Sequence, residues 1–216
     1  MKNKNLNKNV IILLIVMTIC ALTTLLNIKI DGDTLKLSGL SVILGIIAYF
    51  ATKGTNESKT SGLKIKSCLS KFKNKKVILL SVMPFILNIL CMVIAKAFLP
   101  EFVDHLNNRI SFLNTSEVIK TILTLAIATL GEEIAWRAFF QKQTSKIMKF
   151  VPSLMITSVL FSIAHLSSGT FIVVVYDLLF VFLNSLFYGL VFKNTDNAFC
   201  SWISHFLADV FALFLI

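Results

Sequence analysis

The sequence predicts an all-α fold, a polytopic bundle of transmembrane helices with about seven spans, and three observations lead there. Of 216 residues, 56% are hydrophobic and only 15% are charged, where a soluble domain carries about 25% charge. The mean hydropathy is +0.82. The apolar residues are gathered into long runs, most of them near the ~20 residues a helix needs to cross a hydrocarbon core. A soluble protein cannot hide that much apolar surface, because its outside faces water. A bilayer lifts this restriction, so the chain is expected to be a multi-pass protein of the cell membrane, with the lipid bilayer as its first partner.

The first run, Val10 to Ile28, follows the basic leader Lys2, Lys4 and Lys8. It is longer than a usual signal-peptide apolar region and no A-x-A site follows. Ile19 is too bulky to precede a lipoprotein cysteine at Cys20. It therefore reads as an uncleaved span. Leu37 to Ala51, or from Leu35, is a second and shorter span, followed by a polar linker, Thr52 to Lys76, with eight Lys and one Glu. Val77 to Leu99 is the third span, and its Pro84, Asn88 and Lys96 predict a kink. Pro100 to Glu117 is polar and slightly acidic. Val118 to Phe140 is the fourth span, with Lys142, Lys146 and Lys149 after it. The fifth, Val151 to Leu166, ends in a tight break at Ser167 to Gly169. Phe171 to Phe192 and Ala198 to Ile216 complete the set.

Charge orients these spans. The net charge is +10, and nineteen of the 21 basic residues are Lys, with Arg109 and Arg137 the two arginines. With no globular basic face to gather them, the lysines read as loop charge that sets topology, not as a nucleic-acid surface. The leader and the 52–76 and 141–149 loops carry 3, 8 and 3 Lys, against two Lys and one Arg in the alternating loops 29–36 and 100–117. The positive-inside rule places the N-terminus in the cytoplasm and, with seven spans, the C-terminus outside. The chain divides at about residue 110. Residues 1–110 form N-terminal transmembrane segments with the Lys-rich cytoplasmic loop, and residues 111–216 form a core holding the chemistry. Cys20, Cys68, Cys91 and Cys200 show no C-x-x-C spacing and read as small hydrophobes, not ligands or disulfides.

An ionised group at mid-bilayer costs about 2.5–3.5 kcal/mol on insertion scales, so such groups persist where they are paired or functional. In GEEIAWRAFF, Glu133 and Arg137 are four apart, share a helix face and can pair. Glu132 points about 100° away from Glu133 and has no partner on its own helix. A desolvated, unneutralised carboxylate suits a general base acting on water. His165 follows Phe161 by four residues, so the ring can wall the imidazole. His205 and Asp209 are also four apart, which lets the carboxylate accept a ring N–H and fix the tautomer. Each group alone also fits a structural ion cluster or a polar clamp between helices. Together they sit on three separate spans, and one shared cavity is the least costly way to keep them all solvated. Asp177 and Asn184 on the sixth span are candidates for the same cavity, although packing explains them as well.

Glu-Glu-x-x-x-Arg at 132–137, Phe-x-x-x-His at 161–165 and His-x-x-x-Asp at 205–209 resemble the three signature motifs of the CPBP family. That family groups type II CAAX prenyl endopeptidases with bacteriocin-processing and self-immunity membrane proteins, and is also called the abortive-infection family. The resemblance covers about residues 115–216 and implies an all-helical intramembrane peptidase acting on a membrane-proximal peptide or protein. By motif, Glu132 with His165 would activate the attacking water, while His205 and Asp209 would stabilise the oxyanion. Glu133, Arg137 and Phe161 would support them. A carboxylate cannot donate to an oxyanion unless protonated, so Asp209 is expected to orient His205. Members have been described as metalloproteases, and a metal-free glutamate mechanism has also been proposed for them. If Zn²⁺ is bound, Glu132, His165 and His205 are the expected ligands.

Richness in Lys, Asn and Ile points to an AT-rich bacterial genome and away from prenylated substrates. Bacteriocin or signal-peptide processing, or self-immunity, is the expected setting. The alternatives from other classes are a non-catalytic membrane immunity or scaffold protein and a small transporter. A transporter would be favoured by a hydropathy pattern repeated in both halves, whereas here the polar residues crowd into one.

Overall fold

The computed structural model describes residues 7–26, 29–30, 33–34, 38–53, 62–109 and 118–215. The leader lysines Lys2 and Lys4, the start of the second segment at Leu35 to Leu37, and Glu117 lie outside the described residues.

Each of the seven apolar segments falls on helix. These are α1 (Lys8–Leu22, prolonged by a 3-10 turn, Thr23–Leu26), α2 (Ser38–Lys53), α4 (Lys75–Phe98), α6 (Val118–Glu132), α8 (Phe150–Ala164), α9 (Phe171–Thr195) and α10 (Ala198–Ala212). Between them lie α3 (Ile65–Lys71), α5 (Glu101–Arg109) and α7 (Lys142–Ile147). Two residue pairs, Lys29–Ile30 and Asp33–Thr34, form a minimal antiparallel ladder in the connection between α1 and α2. Three helices, Lys8–Leu26, Lys75–Phe98 and Phe171–Thr195, are long and apolar enough to cross a membrane by themselves; Gly39–Thr52, Phe150–Ala164 and Ala198–Ala212 are apolar but shorter. Large apolar side chains such as Ile15, Ile47, Leu79, Val93, Val159 and Leu179 stand exposed on the outer faces. That surface suits lipid, not water. Pro84 sits inside α4 without ending it.

Two stretches read from the sequence as loop are partly helical. Residues 100–117 contain α5, whose Phe102 and His105 are buried, and residues 52–76 contain α3, whose Cys68 is buried. The fourth span is also longer than Val118 to Phe140. After Glu132 the helix widens into a π-helix, Glu133–Gln141, and continues as α7 to Ile147. All nine residues of the π segment are buried.

This extended rod sets the depth of the site. The fourth span ending at Phe140 would put Glu132 near one face of the bilayer and His165 near the other. The rod instead turns at Met148–Lys149 into antiparallel α8. Glu132 precedes Met148 by as many residues as His165 follows Lys149, roughly 24 Å at 1.5 Å per residue. The two therefore lie at one level.

The core closes around the π segment. Met17 of α1, Tyr49 of α2 and Phe161 of α8 pack with Trp136 and Phe139. Gly45 of α2 lets the helices approach, because a Cβ there would fall 2.5 Å from the Ala135 Cβ. Against the other face lie α9 and α10, fixed by Gln141 Nε2 donating to the Gly189 carbonyl (3.0 Å) and by the Lys142–Asp196 ion pair (2.8 Å). All four cysteines are free and buried.

Candidate active site

The three motifs converge. At the α6–π junction, successive residues Glu132 and Glu133 face different partners. Glu133 is fully buried and pairs with Arg137, Nε to Oε2 at 3.5 Å, as the four-residue spacing predicts. The guanidinium is fully buried too. Its Nη2 donates to Ser185 Oγ at 3.3 Å, and it lies over the Phe161 ring (4.7 Å) and the Tyr188 ring (5.9 Å). A charge pair inside an apolar bundle persists only with such compensation.

Glu132 looks the other way. Its two oxygens lie 3.7 Å from His165 Nε2 and 3.8 Å from His205 Nε2. His165 caps the C-terminus of α8, where its Nδ1 is 2.7 Å from the Phe161 carbonyl. A carbonyl only accepts, so Nδ1 carries a proton, and in the neutral ring Nε2 presents a lone pair toward Glu132. The Phe161 ring walls this imidazole, with centroids 4.4 Å apart. His205 is buried on α10 and stacks on Tyr188 at 4.3 Å and 19°.

Carboxylates face both nitrogens of the His205 ring. The shorter contact goes to Glu133, with His205 Nδ1 at 3.0 Å from Oε1. Asp209 Oδ2 lies 3.5 Å from Nε2, on the side facing Glu132. Spacing along one helix could not reveal this, because the stronger partner comes from another helix, 72 residues away in sequence.

His165, His205 and Asp209 line a cavity of about 150 Å³ together with Asp177, Asn184 and Tyr188 of α9. Asp177 and Asn184 thus line the cavity together with the motif residues. Two contributors were not singled out from the sequence, and a third was named there only for the kink of its span. Ser185 and Tyr188 continue a stripe of α9, with Asp177 and Asn184, that repeats at helical spacing, and this is the signal that could have found them. The third is Asn88 of α4, which accepts from Asn184 Nδ2 (2.9 Å) and donates to the Ala208 carbonyl (3.1 Å). Next to the cavity-lining Asp177, His105 of α5 has Nε2 at 3.2 Å from Ser167 Oγ and 3.5 Å from Asp177 Oδ2. This third histidine lay in a stretch read as loop.

Zinc bound by Glu132, His165 and His205 would need ligand atoms about 2.0–2.2 Å from a common point. Among the described residues, no group of three or more His, Cys, Asp or Glu is placed to hold a metal ion.

The family model described as Rce1-like, type II CAAX prenyl endopeptidase, matches residues 114–211. No curated protein and no solved structure matches the chain. The matched residues contain all three motifs and every side chain described above around Glu132, Glu133 and Arg137. Residues 114–211 are thus similar to the Rce1-like type II CAAX prenyl endopeptidases, a family of proteases, and they are set in an all-helical membrane protein.

Proposed function

We propose that this chain is an intramembrane endopeptidase in which Glu132 and His165 activate a water that attacks a peptide carbonyl. The carrying observation is the 3.7 Å gap between Glu132 and His165 Nε2. It is too long for a direct hydrogen bond, and both atoms are acceptors. A water between them can donate one hydrogen to each and turn a lone pair toward the cavity.

The chemistry follows. The water oxygen bonds to the carbonyl carbon as Glu132 takes its proton. The carbonyl oxygen becomes an oxyanion. Both ring nitrogens of His205 face carboxylate oxygens, which only accept, so the ring presents an N–H on each side. Nε2–H is then the oxyanion donor, and Glu133 holds the ring from behind. As the C–N bond breaks, Glu132 returns its proton to the leaving nitrogen, giving an amine and a carboxylic acid that keeps the second hydrogen of the water until it ionises. Arg137 keeps Glu133 in place, and Phe161 and Tyr188 exclude water around the charges. No step passes through a metal.

The substrate is a membrane-proximal peptide or protein. The bacterial composition favours bacteriocin or signal-peptide processing, or self-immunity, as the setting. Incubating purified protein with candidate precursors and identifying fragments by mass spectrometry tests the reading. Wild type is expected to cut at one bond, and Glu132→Gln to slow cleavage by at least about 100-fold, the lower end for a general base. A biological phenotype that survives Glu132→Gln would point to a scaffold and overturn the reading. Cleavage is expected to persist in EDTA and 1,10-phenanthroline. Loss that Zn²⁺ restores would assign the metal mechanism instead.

A further inference from the structure

The far wall of the cavity comes largely from α4 and α5, outside residues 114–211. Asn88, Cys91 and Met92 project from α4, and Phe102 and Leu106 from α5. Within this apolar wall one polar atom stands out. Asn184 gives one amide N–H to Asn88, and Asn88 gives one of its own to Ala208, so the relay ends on α10 between His205 and Asp209. Asn184 Oδ1 is enclosed and has no hydrogen-bond partner. Four residues on, along the same face of α9, Tyr188 stacks on His205. The free acceptor therefore lies about one helical turn from the imidazole.

An enclosed carbonyl without a donor is costly, and more so where lipid replaces water. An extended peptide entering the same cavity has the complementary problem, a main-chain N–H with no acceptor. We propose that Asn184, held by Asn88, accepts a main-chain N–H of the substrate residue beside the cleaved bond, and that Met92, Phe102 and Phe180 form a subsite for that residue's apolar side chain. A cavity of about 150 Å³ is the size that admits a benzene-sized group. It takes one Leu or Phe side chain and not an isoprenoid. The inference rests on the peptidase reading for its substrate, and binding tests it separately from cleavage.

The probe is a set of fluorescein-labelled hexapeptides that differ only at one central residue, Gly, Ala, Leu, Phe or Trp. Binding to the Glu132→Gln protein in nanodiscs is read by anisotropy, and cleavage by wild type is read by mass spectrometry. Leu and Phe peptides are expected to bind better than Gly, with Trp excluded. Asn184→Leu should weaken all peptides alike, by about two- to tenfold, the worth of one neutral hydrogen bond. Met92→Trp should erase the Leu and Phe preference while Gly binding stays. Phe180→Ala should admit Trp. The last two act in opposite directions, so general misfolding cannot mimic them. A preference that none of these variants shifts, or no binding at all, overturns the subsite. Cleavage with an unshifted preference overturns the subsite alone. Shifted preference without any cleavage by wild type keeps the subsite and removes the hydrolase reading.

Discussion

At the scale of single residues, the two adjacent glutamates divide the work by geometry. Glu133 is enclosed by Arg137 and His205, while Glu132 faces the imidazoles of His165 and His205. The orienting contact of His205 goes to Glu133 at 3.0 Å, while Asp209 sits at 3.5 Å from the opposite nitrogen. Glu133→Gln is therefore expected to lower kcat about 10- to 100-fold, the usual loss when a supporting partner of a reactive group goes, with KM little changed. Asp209→Asn is expected to lose less, and steady-state kinetics on one cleaved peptide ranks the two. An equal or larger loss for Asp209→Asn would return the orienting role to Asp209. Arg137→Leu makes a different prediction, in stability. It strands the Glu133 carboxylate in a site with no water access, a change that costs about 3–5 kcal/mol. Thermal unfolding in detergent should show a lowered Tm for Arg137→Leu and little change for Glu132→Gln, in which Glu133 and Asp209 still face the buried His205 ring.

At the scale of elements, the π segment does what an ordinary helix could not read out from sequence. An i→i+5 stretch adds a residue to the turn, and such widenings occur often at functional sites. Here it begins at Glu133, directly after Glu132, and is held on two sides by glycines. Gly45 lets α2 reach Ala135, and Gly189 makes room for Leu154 and Gln141 of the neighbouring helices. A side chain at Gly189 would displace the Gln141 amide that ties the π segment to α9. Gly189→Val is thus expected to cost about 1–3 kcal/mol through overpacking and to lower cleavage as well. Gly131→Ala meets only the flexible end of Ile46 at 3.3 Å and should be tolerated; Tm and activity of the two variants check this. The seven helices carrying the apolar segments were legible because lipid-facing composition marks them directly. So were the pairing of Glu133 with Arg137 and the Phe161 wall of His165, since both depend on spacing within one helix. The π segment was not legible. No Pro or Gly interrupts Glu133–Gln141, and the widening answers to partners on α2, α8 and α9. The same holds for α5 and His105. A short polar helix reads as loop until its Phe102 and Leu106 are seen against the cavity.

At the scale of the whole molecule, side-chain ties sort the helix ends into two groups, and the sorting bears on which end faces the cytoplasm. At one end, Asn197 Nδ2 donates to the Lys64 carbonyl (2.8 Å), Ala198 N donates to the Gly62 carbonyl (2.6 Å), and Lys142 pairs with Asp196. This end gathers α3, the close of the long rod and the α9–α10 turn, and with them most of the described lysines. At the other end, Thr24 Oγ1 donates to the Ile163 carbonyl (2.9 Å), His105 meets Ser167, and Lys96 Nζ donates to the Leu215 carbonyl (3.0 Å). This end holds the finish of α1, α5, the turn after His165 and the last described residues. Positive charge held on one side of a bilayer sets orientation, so the lysine-rich end is expected in the cytoplasm and α5, whose Phe102 and Leu106 line the cavity, on the outer side. Single cysteines in a background where Cys20, Cys68, Cys91 and Cys200 are replaced test this. Lys66→Cys on α3 and Asn107→Cys on α5 both occupy exposed positions. With a membrane-impermeant maleimide, Asn107→Cys should label in intact cells, and Lys66→Cys only after permeabilisation. The reverse pattern would invert the protein and hand its cavity to cytoplasmic peptides. Because His105 meets the cavity-lining Asp177 and the cavity-lining His165 ends α8 at this same end, the labelled side also fixes which compartment lies nearer the cavity.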